Sequence, residues 1–200
     1  MMNTQAIKQT RTSYLVKVAL LSAIAVIVMY AEFMIPMMPA FLKMDLSEIP
    51  VVIGTFALGP VAGVLIELIK NLVHMPSTTT SFIGEAANFM VGISFIIPAG
   101  YIYQARTNRN GAIIGLIAGT ISMTTFAALL NYFALLPLYQ MVLGLPMEAI
   151  VGMGAKANSA VVDLQSLIVF AFIPFNLFKS IVISIVTLLI YKKLSPILHK

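Results

Sequence analysis

The chain has no cysteine, and only 7 of its 200 residues are acidic. Without thiols there are no disulfides, no thiol catalysis and no cysteine-ligated metal, and the redox compartment stays undecided. Charged residues make up 10% of the chain, against about 25% in a soluble domain, so a solvated globular surface is excluded. A glycine-rich phosphate loop is missing, so any energy input must come from elsewhere. No serine has a matching histidine, no H-E-x-x-H occurs, and no aspartate pair has intramembrane-protease spacing. A membrane-embedded enzyme is therefore unsupported. Internal repeats and low-complexity segments are lacking too.

What remains is hydrocarbon. Hydrophobic residues are 60% of the sequence and the mean hydropathy is +1.00. Runs of 18 or more apolar residues read as membrane spans. Clear spans occupy 13–33, 82–104, 111–136 and 174–193. The first is too long for a signal-peptide core and has no cleavage pattern, so it reads as retained. The stretch 46–75 admits two readings: one helix about 40 Å long, or a hairpin broken at Gly59-Pro60. Loop charge decides. With a hairpin over 46–58 and 60–75, the basic N-terminus (Lys8, Arg11, Lys17), the 104–111 loop (Arg106, Arg109) and the C-terminal Lys192, Lys193 and Lys200 share one side, as the positive-inside rule prefers. The expectation is an all-α integral membrane protein: one domain over 1–200, six helices in a transmembrane bundle, both ends cytoplasmic. The hairpin helices are short, about 20 and 24 Å. The basic residues flank apolar runs and form no continuous face, so the +5 net charge carries no nucleic-acid signal.

The segments 36–48 and 139–173 then lie outside the membrane, the latter with short helices along the interface. This topology brings polar groups from four stretches to one level. Asn131 ends span five. Asn176 and Lys179, three residues apart on one helix face, open span six. Glu85 and Asn88 open span four. Phe41, Lys43, Met44 and Asp45 hang above in the 36–48 segment. A lysine within an apolar span is a functional-site hypothesis by default. Polar groups converging among Phe, Met and Tyr suit a flat, polar-edged aromatic ligand. Bland readings stay open for single residues: a snorkelling lysine, asparagines as interhelix glue, Glu85 at a helix N-terminus. Glu67, Lys70 and Asn71 form a deeper cluster, equally an internal ion pair or a ligand contact. His74 and His199 are isolated and suggest no metal site. On span one, Ala19 and Ala23 are small residues four apart, which let another helix approach closely.

These residues resemble the substrate-binding S components of energy-coupling factor (ECF) vitamin transporters, specifically the riboflavin-specific member. The likeness lies in 42–50 (LKMDLSEIP), 55–63 (TFALGPVAG), Lys70-Asn71, Ala87-Asn88-Phe89, 131–139 (NYFALLPLY) and 173–179 (IPFNLFK). It implies a six-helix bundle in a bacterial cell membrane that binds one riboflavin at its extracellular side, with no resident cofactor. By resemblance Asn131, Asn176 and Lys179 contact the flavin, and Phe41, Lys43, Met44 and Asp45 line and cap it. Ala19 and Ala23 dock on the coupling helices of a transmembrane (T) subunit, and two ABC-type ATPases complete the complex. The stretch 144–166 departs from the family in being longer and richer in glycine. Two alternatives remain: an S component for another vitamin, with other groups at the mouth, and a self-sufficient secondary transporter or channel, which needs a continuous polar route.

Overall fold

The computed structural model describes residues 11–39, 41–78 and 80–198, with side chains as far as Tyr191. Lys8, His199 and Lys200 lie outside the described residues, as do the side chains of Lys192 and Lys193. The elements run α1 (Arg11–Tyr30), β1 (Phe33–Met34), β2 (Lys43–Met44), α2 (Glu48–Leu58), α3 (Pro60–His74), a 3-10 turn (Met75–Ser77), α4 (Ile83–Ala105), α5 (Arg109–Leu143), α6 (Met147–Ala157) and α7 (164–198). The two-residue strands pair antiparallel, Phe33 opposite Met44. Among the described residues, everything else is helix and connection.

Among the described residues, four helices are long and apolar enough to cross a membrane: α1, α4, α5 and α7 from Leu164 to Tyr191. On α1 the buried residues Val18, Ser22, Ala25 and Met29 form one stripe, while Leu15, Val16, Leu20 and Ile27 point outward. A helix apolar all round belongs in lipid or in a core. The shorter α3 is inside out. Its buried face holds Glu67, Lys70 and Asn71, and its exposed face holds Leu65, Leu68, Leu72 and Val73. That is the arrangement expected when hydrocarbon surrounds the bundle and charge must turn inward. All residues of α2 from Glu48 to Phe56 are buried, so this helix forms the centre.

The break between α2 and α3 falls at Gly59, whose φ of +99° strains any side chain but glycine's. Pro60 then takes the first position of α3, where its missing N–H costs nothing. Between α4 and α5 the backbones nearly touch: a Cβ on Gly115 would lie 2.6 Å from the Ala99 carbonyl oxygen. Small residues permit such approach in membrane bundles.

Two helices differ from the sequence reading. α5 does not stop near 136 but continues to Leu143, and α7 starts at Leu164 rather than near 174. The connection is thus 144–163, with α6 inside it, rather than 139–173. The cause is a shared device. α5 passes through a π-helical turn at Asn131–Leu135, with Leu136 N–H donating to the Asn131 carbonyl. α7 does the same at Ile168–Phe172, with Ile173 N–H donating to the Ile168 carbonyl. Each turn precedes a proline, Pro137 or Pro174. A π turn shifts the hydrogen-bond register by one residue, so the helix runs through a residue that cannot donate. The start of α7 is fixed by a capping box: Asp163 Oδ1 accepts from Ser166 N–H at 2.7 Å, and Ser166 Oγ accepts from Asp163 N–H at 2.9 Å.

Candidate functional site

Two apolar cores pack in the molecule. One holds α1 to α5 and the middle of α7, around Val51, Ile66, Phe95, Leu116 and Ile183. The other gathers Leu42, Met44, Leu136, Ile150, Leu167, Phe172 and Phe175. Between them lies a cavity of about 590 Å³, inside the roughly 300–1,000 Å³ typical of small-molecule sites. Met123, Val91, Leu135, Phe172 and Phe175 supply apolar wall.

Phe41, Lys43, Asp45, Glu85, Asn88, Asn131, Asn176 and Lys179 all line this one cavity. Met44 does not: it is buried in the second core. The reason is strand alternation, since neighbours on β2 point to opposite faces, leaving Lys43 exposed and Met44 buried. Ala19 and Ala23 sit apart, on the exposed side of α1.

Asn131 and Asn176 are each nine-tenths buried, and neither lies at a helix end. Asn131 opens the π turn of α5, and Asn176 follows that of α7 by four residues. Each Nδ2 donates to the carbonyl four residues back, of Ala127 and of Phe172, at 2.8 Å. A carboxamide has two N–H donors and an acceptor oxygen, so one donor and one acceptor remain on each for a ligand. Asn88 Oδ1 is buried with no hydrogen-bond partner. The Phe41 and Phe172 rings stand 5.9 Å apart at the wall.

Lys179 does not snorkel. Its ammonium lies 2.7 Å from Asp45 Oδ2, with both side chains 6% exposed. The pair ties the 36–47 segment to α7 across 134 residues of sequence. Asp45 also accepts from the Ser47 N–H at 2.9 Å and from the Ser47 hydroxyl. Burial pushes the Asp45 carboxyl up, but the Lys179 and Lys70 charges and these hydrogen bonds outweigh it and hold it well below the usual carboxylate range. Since the folded value lies below the unfolded one of about 3.9, the pair's stability is complete above about pH 4 and is lost as pH falls further. Asp45→Asn should therefore lower the melting temperature in detergent by the same amount at pH 5, 6, 7 and 8. A difference that drifts across that range contradicts the assignment.

Sequence reasoning missed part of the wall. His74 is not isolated: Nδ1 lies 3.1 Å from Glu85 Oε1, and its ring is 5.0 Å from that of Tyr30. Glu85 Oε2 accepts from the Thr78 hydroxyl at 2.8 Å. Glu32, paired with Lys43, and Tyr139 also line the cavity. Only the helix ends bring these side chains together, and no spacing in the sequence marks them.

Residues 13–191 match the family model of the ECF transporter, substrate-specific component. The chain belongs to this family. Among relatives of this S component, the riboflavin transporter RibU of Staphylococcus aureus (strain TCH60) is 39% identical over 186 residues, covering 93% of this chain and 92% of that one. The riboflavin transporter FmnP of Bacillus subtilis (strain 168) is 36% identical over 185 residues, covering 91% and 92%. A solved structure of the S component of a bacterial ECF transporter superposes with a TM-score of 0.77 at 37% identity, covering 96% of this chain and all of that chain. The S component is thus a multi-pass membrane protein of a transporter family.

Proposed function

We propose that this S component captures riboflavin in the cavity between its two cores. The observation that carries this reading is the meeting of Asn131, Asn176 and Lys179 in one cavity of a chain 39% identical to a riboflavin transporter. The isoalloxazine edge presents carbonyl, N–H and carbonyl in a row. Two carboxamides with a free donor and a free acceptor each are complementary to that edge. Lys179 has three N–H donors and gives one to Asp45, which leaves donors for a flavin carbonyl or a ribityl oxygen. Phe41, Phe172 and Phe175 line the cavity and supply apolar surface for the rings. Glu85 and Asn88 line the α4 side, where ribityl hydroxyls have acceptors.

In this reading the chain crosses the membrane six times, with α2 and α3 as a short hairpin and both termini cytoplasmic. The cavity faces outward, and the 36–48 segment closes over it. Ala19 and Ala23 meet a T subunit, two ABC ATPases supply the energy, and movement of these partners delivers the vitamin inward. At 35 residues α5 is about 52 Å long against a hydrocarbon core of about 30 Å. Its far end, with α6, therefore stands in the outer interface beside the mouth.

The test is direct. The purified chain, without partners, should quench riboflavin fluorescence and co-purify as a yellow protein with a flavin absorption spectrum. Quenching by a different vitamin in competition, with none by riboflavin, makes it an S component for that vitamin. Uptake into liposomes containing this chain alone, with no ATPase, makes it a secondary transporter.

A further inference from the structure

Asp45 and Lys179 end a chain of buried polar groups whose other members the ligand reading does not use. Lys70 of α3 is its hub and is fully buried. Its ammonium donates to Ser47 Oγ at 2.9 Å and to Glu48 Oε1 at 2.6 Å. It also lies 2.9 Å from Glu67 Oε2, an ion-pair contact outside hydrogen-bonding alignment. Ser47 passes the connection on, donating through N–H and hydroxyl to the same oxygen of Asp45. The other Asp45 oxygen holds Lys179. At the far end, Asn71 Nδ2 donates to Glu67 Oε1 at 2.9 Å.

The geometry of this chain is one-sided. Asp45, Glu48 and Lys179 line the cavity, whereas Ser47, Glu67, Lys70 and Asn71 do not. The hidden members lie on α3, apart from Ser47, which immediately precedes α2. Glu67 stands directly behind the wall, because a Cβ on the cavity residue Gly92 would lie 2.5 Å from Glu67 Oε1. Burying three carboxyls and two ammoniums is expensive, and hydrophobic residues of similar volume are often as good for stability. A network kept against that cost is suited to fixing geometry.

We infer that Lys70 is a positioning residue for ligand capture. Through Ser47 it sets where the Asp45 carboxylate stands, and through Asp45 it sets both the Lys179 amine and the 41–45 segment over the cavity. Affinity then depends on a lysine that never touches the ligand. This rests on the riboflavin reading above.

The test is a mutant cycle, with riboflavin affinity read by fluorescence quenching on detergent-purified full chain. Each variant is measured at a temperature where size exclusion shows it folded. Ser47→Ala keeps every charge and removes only the relay. It should weaken binding about tenfold, as expected for a hydrogen bond to a charged group. In an Asp45→Asn background the same change should cost less than about twofold, since residues acting in series are not additive. Lys70→Met should weaken binding at least as much as Ser47→Ala, and adding Ser47→Ala to it should change little. A purely structural role predicts the opposite: equal losses in both backgrounds, following the melting temperature. Equal losses, or a Ser47→Ala protein that binds like wild type, overturn the proposal, and this holds even where Lys70→Met does not fold. Wild-type protein that fails to quench riboflavin overturns the riboflavin reading instead, and the positioning role with it.

Discussion

Lys179→Met should weaken riboflavin binding by about a hundredfold or more. Removing one partner of a buried pair costs about 3–5 kcal/mol, or roughly two to four orders of magnitude if all of it falls on binding. Here the cost divides. The variant loses a ligand donor, and it strands Asp45, which is 5% exposed and keeps only Ser47 and the more distant Lys70 charge. Stability suffers from the second effect, affinity from both. The double variant Asp45→Asn/Lys179→Met separates them. It removes both charges, so its melting temperature should return toward wild type, because an absent pair is cheaper than half of one. Its riboflavin affinity should stay low, because the amine is still missing. Thermal unfolding in detergent and fluorescence titration on the same preparations give both numbers. A double variant that regains tight binding would show that Lys179 serves Asp45 alone.

The second large effect concerns transport rather than capture. Ala19 and Ala23 lie four residues apart on the exposed side of α1, near Leu15, Leu20 and Ile27. Neither lines the cavity. If this face meets the T subunit, close approach of two helices there requires small side chains. Ala19→Trp/Ala23→Trp puts two large rings on that seam, outward and away from the bundle. Uptake of radiolabelled riboflavin by cells with the complete set of subunits should fall to background, while the purified variant quenches flavin with unchanged affinity. Retained uptake would move the docking face elsewhere on the bundle.

How much was legible depended on whether one residue or several carried the signal. The break at Gly59 announces itself, because glycine followed by proline does there what no other dipeptide does as cheaply. The candidate polar residues stand out because hydrocarbon makes each amide, carboxylate or ammonium conspicuous, and seven of them line one cavity. Met44 could not be separated from them, since which face of β2 turns inward depends on the pairing with β1. The π turns were hidden: NYFAL and IVFAF look like any apolar helix, and Pro137 and Pro174 read as stops. Taking 139–173 as one external connection followed from that. Glu67 and Lys70 do form an ion pair, but Glu48 of α2 and Ser47 just before that helix also contact the lysine. Lys179 finds Asp45 across most of the chain, and no local pattern tells of either meeting.

Filling the cavity tests where the vitamin sits without removing any polar group. Ala87 lines the cavity on α4, beside Asn88, and Ala87→Trp would occupy the space a planar ring needs. Isothermal titration of the purified chain with riboflavin should show one flavin bound per wild-type protein and none per folded Ala87→Trp protein. Equal binding by the two would mean that the flavin lies elsewhere, and that the three side chains gathered here hold the bundle rather than the vitamin.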